Sequence, residues 1–202
     1  MSSVTEHRAL RARNLRTVAA LGALFLLPLA GSFWLYYGAG WRPAGHTNHG
    51  ELITPIRPLP DVALPVAVGG TGSRQGLFRQ RWTLVYVGSG RCEADCRQAL
   101  YLMRQTRLAL ANNMERVQRV MLASSECCER SFLEREHSGL LVLDASGAEA
   151  QRLLAEFPTA ERAHALFIVD PLGNLMMRYD ARQNPRGLLE DLKKLLQLSH
   201  IG

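Results

Sequence analysis

Hydrophobic and polar positions follow three different rhythms along the chain. From Thr17 to Tyr37 the run TVAALGALFLLPLAGSFWLYY carries no charge. At 1.5 Å per residue such a helix spans roughly 31 Å, about the hydrocarbon thickness of a bilayer. Pro28 interrupts the run, which membrane helices tolerate better than soluble ones. Trp34, Tyr36, Tyr37 and Trp41 gather at its far end, as an interfacial aromatic belt does. The apolar run is longer than a signal peptide's core, and no convincing small-x-small cleavage site follows it, so an uncleaved anchor fits better than a leader. Residues 38–76 break rhythm: five of the nine prolines (Pro43, Pro55, Pro58, Pro60 and Pro65) fall here. That composition predicts an extended tether and lead-in, with a short strand at 62–68.

Beyond residue 76 the pattern alternates between short β-rich runs and helical stripes. WTLVYV at 82–87, ended by Gly88-Ser89-Gly90, reads as a buried strand, and VQRVMLA at 117–123 as a second. Between them, 93–112 reads as a helix that buries Ala99, Leu100, Met103, Leu110 and Ala111. A short helix at 129–137, a strand at 140–143 and a helix at 148–157 follow. ALFIV at 165–169 and LMMRY at 175–179 flank Asp170-Pro171-Leu172-Gly173-Asn174, a hairpin turn. Asn184 then caps a last helix with Pro185 at its first position. Leu188, Leu189, Leu192, Leu195 and Leu196 give that helix one apolar stripe. Alternating βα units closed by a hairpin and a packing helix predict an α/β sandwich with a mixed sheet. The organisation expected is a cytoplasmic segment 1–16, a transmembrane helix 17–37, the tether 38–76, and one domain at 77–202.

Charge sharpens the topology. Of the net +6, half lies in the first 40 residues, where Arg8, Arg11, Arg13 and Arg16 face Glu6 alone. Positive-inside bias holds that end in the cytoplasm and places the domain across the membrane, on the periplasmic side of an inner membrane. Arg97, Arg104 and Arg107 read as a solvated helix face, and no nucleic-acid motif accompanies them, so nucleic acid is not expected as a partner. His46 and His49, in the tether, are weak metal candidates, and His137 reads as a residue on a surface turn.

The chemistry sits in four cysteines. Cys92 and Cys96 lie where a strand ends and a helix begins, and an i,i+4 spacing turns both sulfurs to one side. The helix N-terminus and Arg91 favour thiolate at Cys92, whereas Glu93 and Asp95 oppose it. Two converging sulfurs suit soft Cu(I), and they are also close enough for a disulfide; metal binding, redox work and a static bridge all stay open. Cys127-Cys128 follows the second strand. If the two strands are parallel neighbours, their carboxyl ends open into one crevice. One vicinal cysteine would then supply a third thiolate or exchange disulfides with the first pair; two idle loop thiols or a vicinal disulfide are the alternatives.

From Phe78 onward the chain resembles the Sco/SenC family, membrane-anchored thioredoxin-fold proteins of cytochrome c oxidase assembly. FRQRWTLVYVGSGRCEADC and ALFIVDPLGNLMMRY carry the resemblance. It implies a thioredoxin-like fold, Cu(I) bound by Cys92 and Cys96, and delivery of copper to oxidase subunit II or its assembly factors, or thiol reduction of that site. This chain departs from the family pattern in two places. Its Cys-x-x-x-Cys carries no proline, and Arg162 stands where the family's third ligand, a histidine, would stand. His164, two residues later and of the same strand parity, is the remaining candidate for third ligand. A thiol–disulfide oxidoreductase for other exported proteins and a non-catalytic scaffold are the other functions in play. Nothing around Cys92 resembles a peroxidatic motif.

Overall fold

The computed structural model describes residues 3–39, 47–125, 127–160 and 162–201. The chain divides into two units, the first ending at His46 and the second beginning at Thr47. The first contains α1 (Ser3–Phe33), with Pro28 inside it, continued by a π-helical turn at Trp34–Gly38. Arg13–Gly38 is long and apolar enough to cross a membrane. Leu24, Phe25, Leu27 and Trp34 are all exposed, a distribution that suits hydrocarbon on every side better than water.

The second unit is an eight-stranded mixed sheet with helices on both faces. Its strands are β1 (Glu51–Pro58), β2 (Leu64–Val68), β3 (Ser73–Arg74), β4 (Trp82–Gly88), β5 (Val117–Ala123), β6 (Leu140–Asp144), β7 (Ala165–Val169) and β8 (Asn174–Asp180), in the order β1-β8-β7-β4-β5-β6-β2-β3. β4, β5 and β6 run parallel at the centre, and every other neighbour is antiparallel. Alternation along β4 sorts the core into two layers. Trp82, Leu84 and Tyr86 face the side covered by α2 (Ala94–Ala109), α3 (Arg130–Glu136) and α5 (Pro185–Leu198), whereas Val85 and Val87 face α4 (Ala148–Glu156). Central strands buried on both faces are what continuous apolar runs encode.

The expected strands and helices beyond residue 76 are all present, with differences at their ends. α2 stops at Ala109 because the chain turns at Ala111, whose φ is +49°, so Ala111 is exposed rather than on the buried face. The 170–174 hairpin is held as anticipated: Asp170 Oδ1 accepts from the N–H groups of Leu172 (2.9 Å) and Asn174 (2.8 Å), and Gly173 supplies the positive φ. Asn184 caps α5 by accepting from Gly187 N–H at 3.0 Å.

The proline-rich lead-in holds more structure than its composition predicted. The strand near 62–68 is β2, but Glu51–Pro58 is also a strand, paired with β8 at the sheet edge. Only Ile53 of its eight residues is buried, and an edge strand accommodates Pro55 and Pro58 because one of its sides needs no partner. The start of this strand is fixed from the far end of the chain. Asp191, buried on α5, accepts from His49 N–H (2.7 Å), Gly50 N–H (3.0 Å) and the Tyr179 hydroxyl. Burial first, and then the Asp191 carboxylate, raise the Tyr179 phenol above its ordinary value, so it remains a donor. Removing the acceptor leaves three donors short of a partner. Asp191→Ala is therefore expected to lower unfolding free energy by about 2–4 kcal/mol in urea denaturation, with hydrogen exchange rising first at residues 49–53.

Candidate functional site

The site forms at the carboxyl edge of the parallel strands. β4 and β5 pair in register from Trp82↔Val117 to Gly88↔Ala123, so the loops carrying Cys92 and Cys127-Cys128 leave the sheet side by side. Gly88 is required at this edge: a Cβ there would lie 2.6 Å from the Tyr86 ring. The chain then turns through Ser89, whose carbonyl accepts from Cys92 N–H at 3.2 Å, and Cys92 itself has φ +48°. A non-glycine residue in that left-handed region is locally strained.

Cys92 and Cys96 are joined in a disulfide with their Cα atoms 4.9 Å apart, and both are buried, 1 % and 4 % exposed. Cys96 borders an open cleft of about 270 Å³, shared with Gly88, Ser89, Glu93, Asp95, Ser124 and Arg162. Cys127 and Cys128 form a separate, vicinal disulfide across a cis peptide bond. Cys127 is exposed and Cys128 half-buried.

A 3₁₀ turn at Arg162–His164 closes one wall, where continuation of a strand was anticipated; the parity argument for Arg162 and His164 therefore does not apply. Two contacts fasten the turn. The Tyr86 hydroxyl donates to Ala163 O at 3.0 Å, and His164 Nδ1 lies 3.3 Å from Asp95 Oδ1 on the first turn of α2. Burial, reinforced by Asp95, pushes the Tyr86 phenol up to about 12, so it too stays protonated. His164 is thus brought to the helix turn that carries Cys96. Arg162 points elsewhere: its guanidinium donates to the carbonyls of Leu154, Phe157 and Pro158 at the end of α4. Leu154 O also accepts from Phe157 N–H, and the group of carbonyls lies at a helix C-terminus, where a cation belongs. Among the described residues no cluster of three or more His, Cys, Asp or Glu is arranged to hold a metal ion.

Arg97, expected on a solvated face, links the two cysteine loops. Its Nε donates to Cys92 O (3.1 Å), its Nη2 to Glu129 Oε2 (2.7 Å), and its guanidinium lies 4.6 Å from the Phe132 ring centre. A half-exposed ion pair contributes at most about 1 kcal/mol, so the contact matters for position more than for stability. Arg107 is likewise engaged, with Val117 O and Glu115. The sequence signal for Arg97 was its place directly after Cys96 in the first turn of α2; its partner Glu129 is 32 residues away and invisible to spacing. His49 is tied to α5 through Glu190 at 2.9 Å, and His46 lies outside the described residues.

A scan against family models matches residues 82–199 to the transmembrane-like, thioredoxin-like, C-terminal domain, more than half of the chain. The chain belongs to that family. Solved structures similar to this thioredoxin-like chain include Sco proteins. The apo Sco1 protein of Thermus thermophilus is 20% identical, with a TM-score of 0.58 over 76% of this chain and 99% of that one. Copper-bound ScoI of Bradyrhizobium japonicum is 15% identical, with a TM-score of 0.54 over 67% and 98%. Copper-bound yeast Sco1 is 12% identical, with a TM-score of 0.59 over 77% and 96%. At these identities the likeness establishes the thioredoxin-like fold of the domain. A search of curated proteins finds no match.

His137 is a correction: it is buried, 5 % exposed, with its ring edge-on to Phe132 at 5.1 Å. Burial, and then Arg119 and Arg104, lower its pKa against a smaller opposing effect of Glu136. In the folded protein it therefore takes its proton below the unfolded value of 6.5. Unfolding takes up a proton as pH falls through that value, so its contribution to stability is complete above pH 6.5 and declines below it. Urea midpoints measured between pH 7.5 and 5.5 are expected to fall, and His137→Phe to flatten that part of the profile.

Proposed function

We propose that this chain is a membrane-anchored, Sco-like protein that matures the copper site of cytochrome c oxidase through Cys92 and Cys96. One observation carries the reading: a cysteine pair at the first turn of α2, with Cys96 bordering an open cleft, in a domain whose structural neighbours include copper-bound Sco proteins. The targets are subunit II or its assembly factors. Arg8, Arg11, Arg13 and Arg16 hold the N-terminus in the cytoplasm, and the domain works on the periplasmic side of the inner membrane.

Thiol–disulfide exchange is the chemistry the geometry supports best. With the pair reduced, the Cys96 thiolate attacks a disulfide in the target, whose distal sulfur leaves as a thiolate. Cys92 then attacks Cys96 in the mixed disulfide, restores the Cys92–Cys96 bond and releases the second target thiol. Two electrons pass to the target, which becomes competent to receive copper. Copper as cargo is the second reading, favoured by the Asp95–His164 contact, which brings an imidazole to the same helix turn. Two thiolates suit soft Cu(I), and His164 would be the third donor.

Two measurements separate these readings. Cu(I) titration of the reduced full-length protein in detergent is expected to show tight binding that is lost in Cys92→Ser and Cys96→Ser and weakened roughly ten-fold or more in His164→Ala, as removal of a ligand typically does. No tight binding by the wild type removes the copper reading and leaves exchange. In cells, Cys92→Ser with Cys96→Ser is expected to abolish oxidase assembly; full assembly in that variant would mean the domain acts as a scaffold without chemistry. A reporter active only outside the cytoplasm, fused to the C-terminus, is expected to be active.

A further inference from the structure

The exchange reaction above leaves Cys127 and Cys128 idle, yet their loop is fastened to the one carrying Cys92. Ser124 donates to Gly88 O from its N–H (2.9 Å) and its hydroxyl (3.1 Å), and the Ser125 and Ser89 hydroxyls meet at 3.2 Å. Arg97 ties Cys92 O to Glu129, the residue after Cys128. Cys128 packs against the apolar cluster that contains both Cys92 and Cys96. The two disulfides differ in access: the inner pair is buried, whereas Cys127 faces solvent. Disulfide exchange needs an approach to the sulfur under attack, so a dithiol carried on a protein meets Cys127 before the inner pair.

We propose that Cys127–Cys128 is a second redox pair that relays electrons from an external protein dithiol to Cys92–Cys96. The inference rests on the exchange reading above and names how its working pair is reduced. A donor thiolate attacks the Cys127 sulfur, the Cys127–Cys128 bond breaks, and Cys128 leaves as a thiolate. The donor's second thiolate attacks the donor sulfur in the mixed disulfide, which closes the donor disulfide and frees Cys127. The Cys128 thiolate then attacks Cys96 from the apolar cluster the two share and breaks the Cys92–Cys96 bond. Cys92 leaves as a thiolate beside the N-terminus of α2, where the helix dipole favours that form. Finally Cys127 attacks Cys128, re-forms the vicinal bond and releases Cys96. Two electrons and two protons have moved from the donor to Cys92 and Cys96; the donor is oxidised and the vicinal pair is regenerated.

The relay requires a Cys96–Cys128 bond, and this can be trapped. Full-length protein carrying Cys92→Ser and Cys127→Ser, oxidised with glutathione disulfide in detergent, is expected to yield the 96–128 cross-link by mass spectrometry of non-reduced peptides. Glutathione adducts at both cysteines without that link would overturn the proposal. In a second measurement, reduced thioredoxin is the donor and alkylation of Cys92 and Cys96 is followed in time. Cys127→Ser with Cys128→Ser is expected to slow that reduction by about ten-fold or more, since the donor must then reach Cys96 through the cleft, where that residue is only 4 % exposed. An unchanged rate would overturn the relay while leaving exchange by Cys92 and Cys96 intact. Failure of the reduced wild-type protein to exchange with any disulfide substrate would overturn both.

Discussion

Side by side and in register through seven residues, β4 and β5 end at the same edge of the sheet, with Gly88 opposite Ala123. Parallel pairing obliges the chain to cross back between these strands, and α2 is that crossover. Its N-terminus therefore lies at the edge where β4 ends, and Cys92 and Cys96 lie with it. The loop after β5 leaves the sheet beside them and is bonded to Gly88 and Ser89 by Ser124 and Ser125. Antiparallel β7 completes the site from the other side of β4, because the turn that precedes it is held by Tyr86 and Asp95. One pairing thus gathers segments near positions 90, 125 and 163.

How far the sequence disclosed this depended on the range of the interaction involved. WTLVYV, VQRVMLA and ALFIV could be read as strands because burial on both faces leaves uninterrupted apolar runs, and Asn184-Pro185 marked α5 by local capping chemistry. β1 was not legible: an edge strand that buries Ile53 alone shows no alternation, and its two prolines mask the β-branched Ile53, Thr54 and Ile56. Its anchor, Asp191, sits in the leucine stripe of α5 and signals nothing until Gly50 and Tyr179 are brought to it. His137 failed for a similar reason, since a polar residue after a short helix reads as surface unless Phe132 and Arg119 are known to enclose it.

The cysteines were legible as residues but not as partners. An i,i+4 spacing predicted that Cys92 and Cys96 share a side, and the parallel strands predicted that Cys127 and Cys128 lie nearby. Which sulfurs pair, and which face solvent, depends on packing that no spacing encodes. The same holds for Arg162 and Arg97. Arg162 caps α4 and Arg97 bridges Cys92 to Glu129, although from sequence Arg162 only replaced a ligand histidine and Arg97 read as a solvated cation.

Burial of the inner pair also limits what form it can take. Cys92 and Cys96 are part of an apolar cluster with Leu100, Met103 and Leu166, where desolvation disfavours two adjacent thiolates. A disulfide or a neutral dithiol carries no charge and is compatible with that cluster. Two thiolates become compatible when a monovalent cation lies between them, which leaves a net charge of minus one, the ordinary charge of a single thiolate at a helix N-terminus. Thiol exchange and Cu(I) carriage are therefore alternative answers to the same electrostatic constraint: the pair must be oxidised, protonated or metal-bound to remain buried. Asp95 adds to the constraint, because its carboxylate stands on the same helix turn, 3.3 Å from His164 Nδ1. A ligand histidine would have to be neutral at the nitrogen that meets the metal. With Nδ1 facing Asp95, Nε2 is the nitrogen that would be left for a metal, so the Asp95–His164 pair would orient a histidine ligand rather than compete with it.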